Sequence, residues 1–425
     1  MNISVHWIDC KGLAPPLPWR PILSGALRER ALETVGALCD AAGSTWVTSE
    51  KDSTLLGHSA HALLLHEVSR AGILPIESDA LEKDLELARR ALAEAELGPS
   101  LLAGYPGIAW SLHHIAGEAP QPGDTFDDID AAMLEQVSSP ETPLPCDLDG
   151  LAGMGVYALE RMPVPSAKAI LTQIVRRLQE RSLRSNDGAA WKTEMPGVGP
   201  QFNLGVAHGI PGILCFLAGA AGCGIGGALG LLEDGVRWLW RWEQPGELSR
   251  FPFWIADGQP SALRWPGWCY GDPAVAAAMY AAGRATSSLS LQQRAFRLAA
   301  HTLSLTPETL STLPTASPVG ETGAQMNPGG ALHSPFLCHG AAGRAHMLNR
   351  MYQWTGEERF AVAARSWIEW LFLLAPTERS ADWGETGLVY GAAGVGLVLI
   401  AALSATEARW DRLLMMSVVG VAGGP

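Results

Sequence analysis

Gly209-Ile210-Pro211-Gly212-Ile213 decides the fold of this chain. A glycine opens it, a proline follows where the first turn of a helix tolerates one, and no charged residue appears until Glu233. The same GxxG pattern opens apolar segments at Gly104-Tyr105-Pro106-Gly107-Ile108, Gly150-Leu151-Ala152-Gly153-Met154 and Gly340-Ala341-Ala342-Gly343. Gly271-Asp272-Pro273-Ala274 keeps the proline and loses the second glycine. Gly57 and Gly391 lead two further copies, the Gly57 copy being the weakest. The spacing is irregular, roughly 45 to 70 residues, so a recurring unit is joined by loops of unequal length.

Ahead of each glycine-led segment lies a stretch with amphipathic helical spacing: 24–40, 80–97, 125–137, 167–183, 228–243, 289–304 and 357–374. Charges such as Glu82, Asp84, Glu86, Arg89 and Arg90 read as the wet face of one of them. The glycine-led segments are built almost wholly of Ala, Gly, Leu, Ile and Val, and a helix apolar all round must be buried on all sides. Each unit therefore pairs a half-wet helix with a dry one. About seven such units, closed side by side, predict an all-α double ring, an α/α toroid spanning 1–425 as one domain, with the dry helices inside. The long loops 184–207, 244–268 and 306–337 leave room for a small inserted subdomain. The uncharged run 388–405 approaches the length of a membrane span, but it begins Tyr390-Gly391-Ala392-Ala393-Gly394 and so reads as another buried helix.

Bulk composition agrees. A chain of 425 residues that is 48% hydrophobic and 17% charged can bury a large core. A net charge of −13 argues against generic nucleic-acid binding. The N-terminus has no basic start and no long apolar run, so no secretory signal is expected. Seven cysteines without tight spacing fit a reduced, cytoplasmic protein better than a disulfide framework. Cys10, Cys39, Cys215 and Cys223 read as small packing side chains.

Two strings carry the chemistry: Trp268-Cys269-Tyr270-Gly271 and Cys338-His339-Gly340. Both stand immediately before repeat glycines, and equivalent places in a closed repeat converge. Cys269, Cys338 and His339 thus form a candidate metal set. Two thiolates and an imidazole suit zinc rather than magnesium or calcium, and three protein ligands leave one position open, as catalytic zinc sites do. His208, in Ala207-His208-Gly209, has the same register in another repeat. It is open to three readings: a fourth ligand, an acid–base group or a satisfied core histidine. Asp147, or Asp149 beside it, can orient His208 or cap a helix. Arg264 and Tyr270 flank the first metal string and can face developing negative charge. The other histidines (His58, His61, His66, His113, His114, His301, His333 and His346) read as surface or packing residues, and Trp238, Trp240 and Trp242 as packing between the rings.

Together these strings resemble the lanthionine synthetase C-like family, the lanthipeptide cyclases, whose signature is AHG-x-x-G, then WCYG, then CHG. The resemblance covers nearly the whole chain. It implies a toroid of seven helix pairs and one Zn2+ held by Cys269, Cys338 and His339. It also implies an acid–base role for His208 and supporting roles for Asp147, Arg264 and Tyr270. The implied reaction adds a peptide cysteine thiol to dehydroalanine or dehydrobutyrine, giving lanthionine or methyllanthionine. The implied partners are a dehydrated precursor peptide (a leader plus a Ser/Thr/Cys-rich core), a separate dehydratase and an exporter, with peripheral membrane association only through such a complex. Two alternatives remain at this point: addition of a small thiol such as glutathione by the same architecture, and a non-catalytic zinc-containing scaffold that binds peptides.

Overall fold

The computed structural model describes residues 18–41, 53–76, 78–117, 123–195, 199–245, 248–262, 266–311, 334–374 and 386–417. Arg264, Cys10 and His333 lie outside them. Among the described residues, the helices His58–Ala71, Tyr105–Ala116, Leu151–Glu160, Ile210–Gly222, Asp272–Ala285, Ala341–Thr355 and Ala392–Leu403 begin directly after Gly57, Gly104, Gly150, Gly209, Gly271, Gly340 and Gly391. These form the inner ring. Every residue of Ala392–Leu403 is buried, as is nearly all of Ile210–Gly222. No described helix is long and apolar enough to cross a membrane.

The second glycine of GxxG has a steric cause. A Cβ at Gly343 would stand 1.9 Å from the Leu337 carbonyl oxygen, and one at Gly212 would stand 2.0 Å from that of Val206. In the five repeats that keep GxxG, the turn before the inner helix folds back against the helix's own first turn and a side chain would collide with backbone; Ala60 and Ala274 take the matching place in the other two. Gly271 differs in needing its conformation as well: its φ of 89° is one that L side chains rarely adopt.

The outer ring consists of Gly25–Ala41, Ser78–Glu94, Asp127–Ser138, Pro165–Arg181, Ala228–Trp240, Leu289–His301 and Glu358–Leu374. Their period-3.6 pattern sorts residues by face. In Ser78–Glu94, Leu85, Ala88 and Ala91 are buried while Glu82, Lys83, Glu86, Arg89 and Arg90 are exposed. Leu289–His301 packs along Asp272–Ala285, and Glu358–Leu374 along Ala341–Thr355. The last inner helix, Ala392–Leu403, packs on the first, His58–Ala71, so the ring closes. The Ile22 and Leu23 N–H groups also donate to the Ala402 carbonyl, at 2.9 and 3.2 Å.

Asp84 corrects the reading of that outer helix. It is buried, not on the wet face, and accepts hydrogen bonds from His58 Nδ1 at 2.7 Å and His61 Nδ1 at 2.6 Å. His346 is likewise wholly buried, its Nε2 2.9 Å from Asp411. His58 and His61 tie an inner helix to an outer one through Asp84, and His346 ties an inner helix to the C-terminal turn through Asp411, rather than merely filling space. A polar group is retained in such a core only when it is paired.

The long loops contribute a small sheet. Thr193–Met195, Gly199–Asn203, Trp254–Ala256 and Gln259–Pro260 pair antiparallel in that order, with Phe202 opposite Ile255. A separate hairpin pairs Leu183–Ser185 with Gly188–Ala190. The inserted element anticipated in one loop is thus assembled from two. Trp238 packs against Phe202 of this sheet, 4.9 Å between ring centroids. Near the C-terminus the 3₁₀ turn Arg409–Leu414 buries Trp410 and Asp411, and Arg350 clamps Asp411 with two nitrogens, at 2.7 and 2.9 Å.

Candidate metal centre and its neighbouring histidine

The turns that precede the inner helices are joined to one another by backbone hydrogen bonds. Two residues ahead of the repeat glycines stand Leu55, Leu102, Leu148, Ala207, Cys269, Cys338 and Val389. Six of their carbonyls accept an N–H from a neighbouring turn. The pairs are Leu101 N to Leu148 O, Leu148 N to Ala207 O, Val206 N to Cys269 O, Cys269 N to Cys338 O, Cys338 N to Val389 O and Leu388 N to Leu55 O, at 2.8 to 3.3 Å. The belt runs around the mouth of the inner ring. Five of its seven positions carry apolar side chains and the other two carry thiols.

Cys269 and Cys338 are thereby neighbours by backbone geometry, since the Cys338 carbonyl accepts from both Trp268 N and Cys269 N at 3.1 Å. One residue further on, His339 joins them. Gly267 lets the two turns approach closely, since a Cβ there would lie 3.2 Å from His339 Cα, tighter than an ordinary contact. One donor atom from each of Cys269, Cys338 and His339 lies within 4.8 Å of the others. These three residues can hold a metal ion. Trp268 Nε1 donates to Leu414 O at 2.8 Å, so the C-terminal turn supports the metal string from behind.

The donor set fits zinc on its own chemistry. Both cysteines are buried, and the Cys269–Cys338 hydrogen bond pushes the Cys338 thiol down and Cys269 well up. Two ionisable thiols and an imidazole make a borderline-soft set that selects zinc over oxygen-seeking cations. Arg344 stands behind them, fully buried. Its Nε donates to Pro266 O at 2.8 Å, its guanidinium lies 4.7 Å from the Trp367 ring, and burial lowers its pKa to about 9. Its positive charge stabilises charge on Cys269.

Directly before the repeat glycines the residues are Leu56, Ala103, Asp149, His208, Tyr270, His339 and Tyr390. His208 Nδ1 lies 3.2 Å from Asp149 Oδ2, and both side chains are nearly half exposed. The Asp149 hydrogen bond raises the His208 pKa, and His208 holds Asp149 below the usual carboxylate range. Asp147 sits deeper, 3% exposed, and accepts the Asp149 N–H at 3.1 Å. Burial pushes its carboxyl up to about 6. The direct contact to His208 therefore belongs to Asp149. Asp147, Asp149 and His208 form a cluster of their own, distinct from the cysteine set. A cavity of about 720 Å³ opens beside this cluster, lined also by Trp191, Lys192 and Glu194.

Tyr270 is buried. Its hydroxyl accepts from Asn203 Nδ2 at 2.9 Å and its ring stacks on Phe253 at 4.3 Å. Tyr390 is its counterpart two repeats on. It is 46% exposed and hydrogen-bonded to Cys338 Sγ at 3.2 Å.

Residues 56–415 match the sequence profile of the lanthionine synthetase C-like proteins. The chain belongs to the lanthionine synthetase C-like family. Its fold is similar to a solved structure titled Nisin cyclase, with a TM-score of 0.66 and 17% sequence identity, covering 92% of this chain and 97% of that one. That likeness establishes the α/α toroid. No curated protein matches the sequence significantly.

In this member of the family, sequence reasoning overlooked Arg344 and Tyr390. Arg344 had a signal, being a lone charge in the otherwise apolar first turn after Gly340-Ala341-Ala342-Gly343. Tyr390 had only its register before Gly391.

Proposed function

We propose that this protein is a zinc-dependent lanthipeptide cyclase, adding cysteine thiols of a dehydrated precursor peptide to dehydroalanine or dehydrobutyrine in the same peptide. The observation that carries the reading is the pairing, at one mouth, of a Cys–Cys–His cluster with a carboxylate-oriented histidine outside it. Membership of the lanthionine synthetase C-like family and the toroid fold support it. The open cavity of about 720 Å³ beside His208 has room for part of a peptide and equally for a small thiol.

Cys269, Cys338 and His339 would hold the zinc ion. The chemistry it supplies when bound is thiol activation, keeping a sulfur ionised near neutral pH. The reaction balances within the substrate: a sulfur–Cβ bond forms, the thiol proton leaves, and a proton is delivered to Cα. Nothing is oxidised or lost, so one acid–base group can serve both transfers. His208 takes that role. Asp149 occupies its Nδ1 side, which leaves Nε2 for the peptide. The Asp149 hydrogen bond favours the imidazolium, the form that can protonate the α-carbon as the enolate collapses. Asp149 fixes the ring orientation and stabilises its charged form, and buried Asp147 braces the Asp149 backbone. Arg264 and the buried Tyr270 are the remaining candidates for steadying enolate charge. This reading implies that a dehydratase acts on the peptide first, because the acceptor alkene has to exist before a thiol can add to it.

The test uses a dehydrated, cysteine-containing precursor peptide. Ring closure leaves the peptide mass unchanged but removes thiols that iodoacetamide can alkylate, and tandem mass spectrometry maps the rings. The expected result is protein-dependent loss of alkylatable thiols that stops when zinc is chelated. With glutathione present, a glutathione-sized mass gain in place of rings would move the activity to small-thiol addition. Thiols persisting at the no-protein level would make the chain a scaffold.

A further inference from the structure

Tyr390 is a large side chain held nearly half exposed at the mouth, on a turn whose neighbours at the same register include Asp149, His208 and His339. Its hydroxyl lies 3.2 Å from Cys338 Sγ, and its ring meets His339 edge-on with centroids 5.7 Å apart. It therefore touches two of the three candidate metal ligands. The other tyrosine of this register, Tyr270, is turned into the wall, with its oxygen accepting from Asn203. In the structure the Cys338 thiol is the donor to the Tyr390 oxygen; a sulfur bound to a metal as thiolate has no proton, so the phenol is then the donor of the pair.

We propose that Tyr390 is a positioning residue of the metal centre: its phenol donates a hydrogen bond to the Cys338 thiolate and draws negative charge off that ligand sulfur. This rests on the metal-centre reading above and adds a donor that the sequence motifs do not contain. Two thiolates already neutralise a divalent cation, so a third sulfur arriving from a peptide meets a charge-saturated centre. A hydrogen bond to one resident thiolate relieves that saturation by a charge-assisted contact. The two tyrosines then differ in what their hydroxyls meet: a ligand sulfur for Tyr390 and the Asn203 amide for Tyr270.

The experiment is cobalt substitution of the whole protein, read by the thiolate-to-cobalt charge-transfer band in the near ultraviolet, with cobalt content measured in parallel. Tyr390→Phe keeps the ring and removes only the hydroxyl. The expected result is one cobalt per chain in parent, Tyr390→Phe and Tyr270→Phe. The charge-transfer band should shift to lower energy in Tyr390→Phe alone, because a thiolate without its donor gives up an electron more readily. An unshifted band in Tyr390→Phe at full cobalt occupancy overturns the proposal and leaves the metal centre standing. An equal shift in Tyr270→Phe assigns the effect to general loosening of the mouth and also overturns it. A parent protein that takes up no cobalt and no zinc overturns the metal-centre reading itself.

Discussion

Two arcs of the same mouth differ sharply in chemistry while sharing one backbone. In the first two repeats the belt and the residues after it are Leu55-Leu56 and Leu102-Ala103. In the fifth and sixth they are Cys269-Tyr270 and Cys338-His339. The hydrogen-bonded belt reaches both arcs: Leu388 N binds Leu55 O much as Cys338 N binds Val389 O, at 2.8 and 2.9 Å. The glycines are equally crowded on both sides, with 2.0 Å from a Gly107 Cβ to Leu101 O and 1.9 Å from a Gly343 Cβ to Leu337 O. The frame is therefore indifferent to what it displays, and the reactive arc arises from side chains at two registers. A belt position that carries leucine in one repeat carries a candidate metal-ligating cysteine in another on the same backbone frame.

The comparison breaks most visibly if the two arcs respond alike to truncation. Cys269→Ala and Cys338→Ala should abolish protein-dependent ring closure while leaving a folded toroid. Leu55→Ala, at the equivalent belt position, should do the reverse: it should cost about 2–5 kcal/mol of stability and leave the rate per folded molecule intact. Urea unfolding beside the thiol-consumption assay separates these outcomes. Stability loss in the cysteine variants as large as in Leu55→Ala would reduce the thiols to packing groups.

His208→Asn sharpens the division between the cysteine arc and the fourth repeat beside it. It should retain full zinc, because the cluster with Asp147 and Asp149 is separate from the cysteine set. Ring closure should slow about 10²–10⁴-fold, the usual contribution of one acid–base group. Zinc loss would move His208 into the ligand set, and an unchanged rate would remove it from the mechanism.

The smallest effect concerns Asp147 and pH. Its folded pKa of about 6 lies above the ordinary 3.8, so the folded protein binds the proton more tightly than the unfolded chain. Stability must then fall as pH rises from about 4 to about 6 and stay lowered above that. Asp147→Asn removes this loss, so its unfolding midpoint should gain on the parent between pH 4 and pH 7.5, by up to about 3 kcal/mol in stability. An advantage that does not grow over that range would mean that Asp147 is not held protonated by burial.

Much of this was legible because the strongest constraints here are local. Carbonyl oxygens about 2 Å from the site of a missing Cβ force glycine at fixed spacing, so the GxxG pattern located the inner helices. The amphipathic period located the outer ones. Cys269, Cys338 and His339 could be grouped since equivalent registers converge. Asp84 could not be placed, because a carboxylate on an amphipathic helix looks solvated until His58 and His61 of another helix are seen to hold it. Asp147 and Asp149 could not be told apart, since two residues separated by one differ in depth only once the turn is built. Tyr390 was hidden because its partner sulfur is 52 residues away and the contact crosses a repeat junction. The sheet joining Phe202 to Ile255 escaped for the same reason: its strands come from different loops.

The central claim is that Cys269, Cys338 and His339 form one zinc site. Elemental analysis of the purified protein beside its Cys338→Ala variant tests it most directly. The account predicts one zinc per chain in the parent and less than about a tenth of that in the variant, since two remaining ligands hold zinc poorly. A full equivalent of zinc in Cys338→Ala would contradict it.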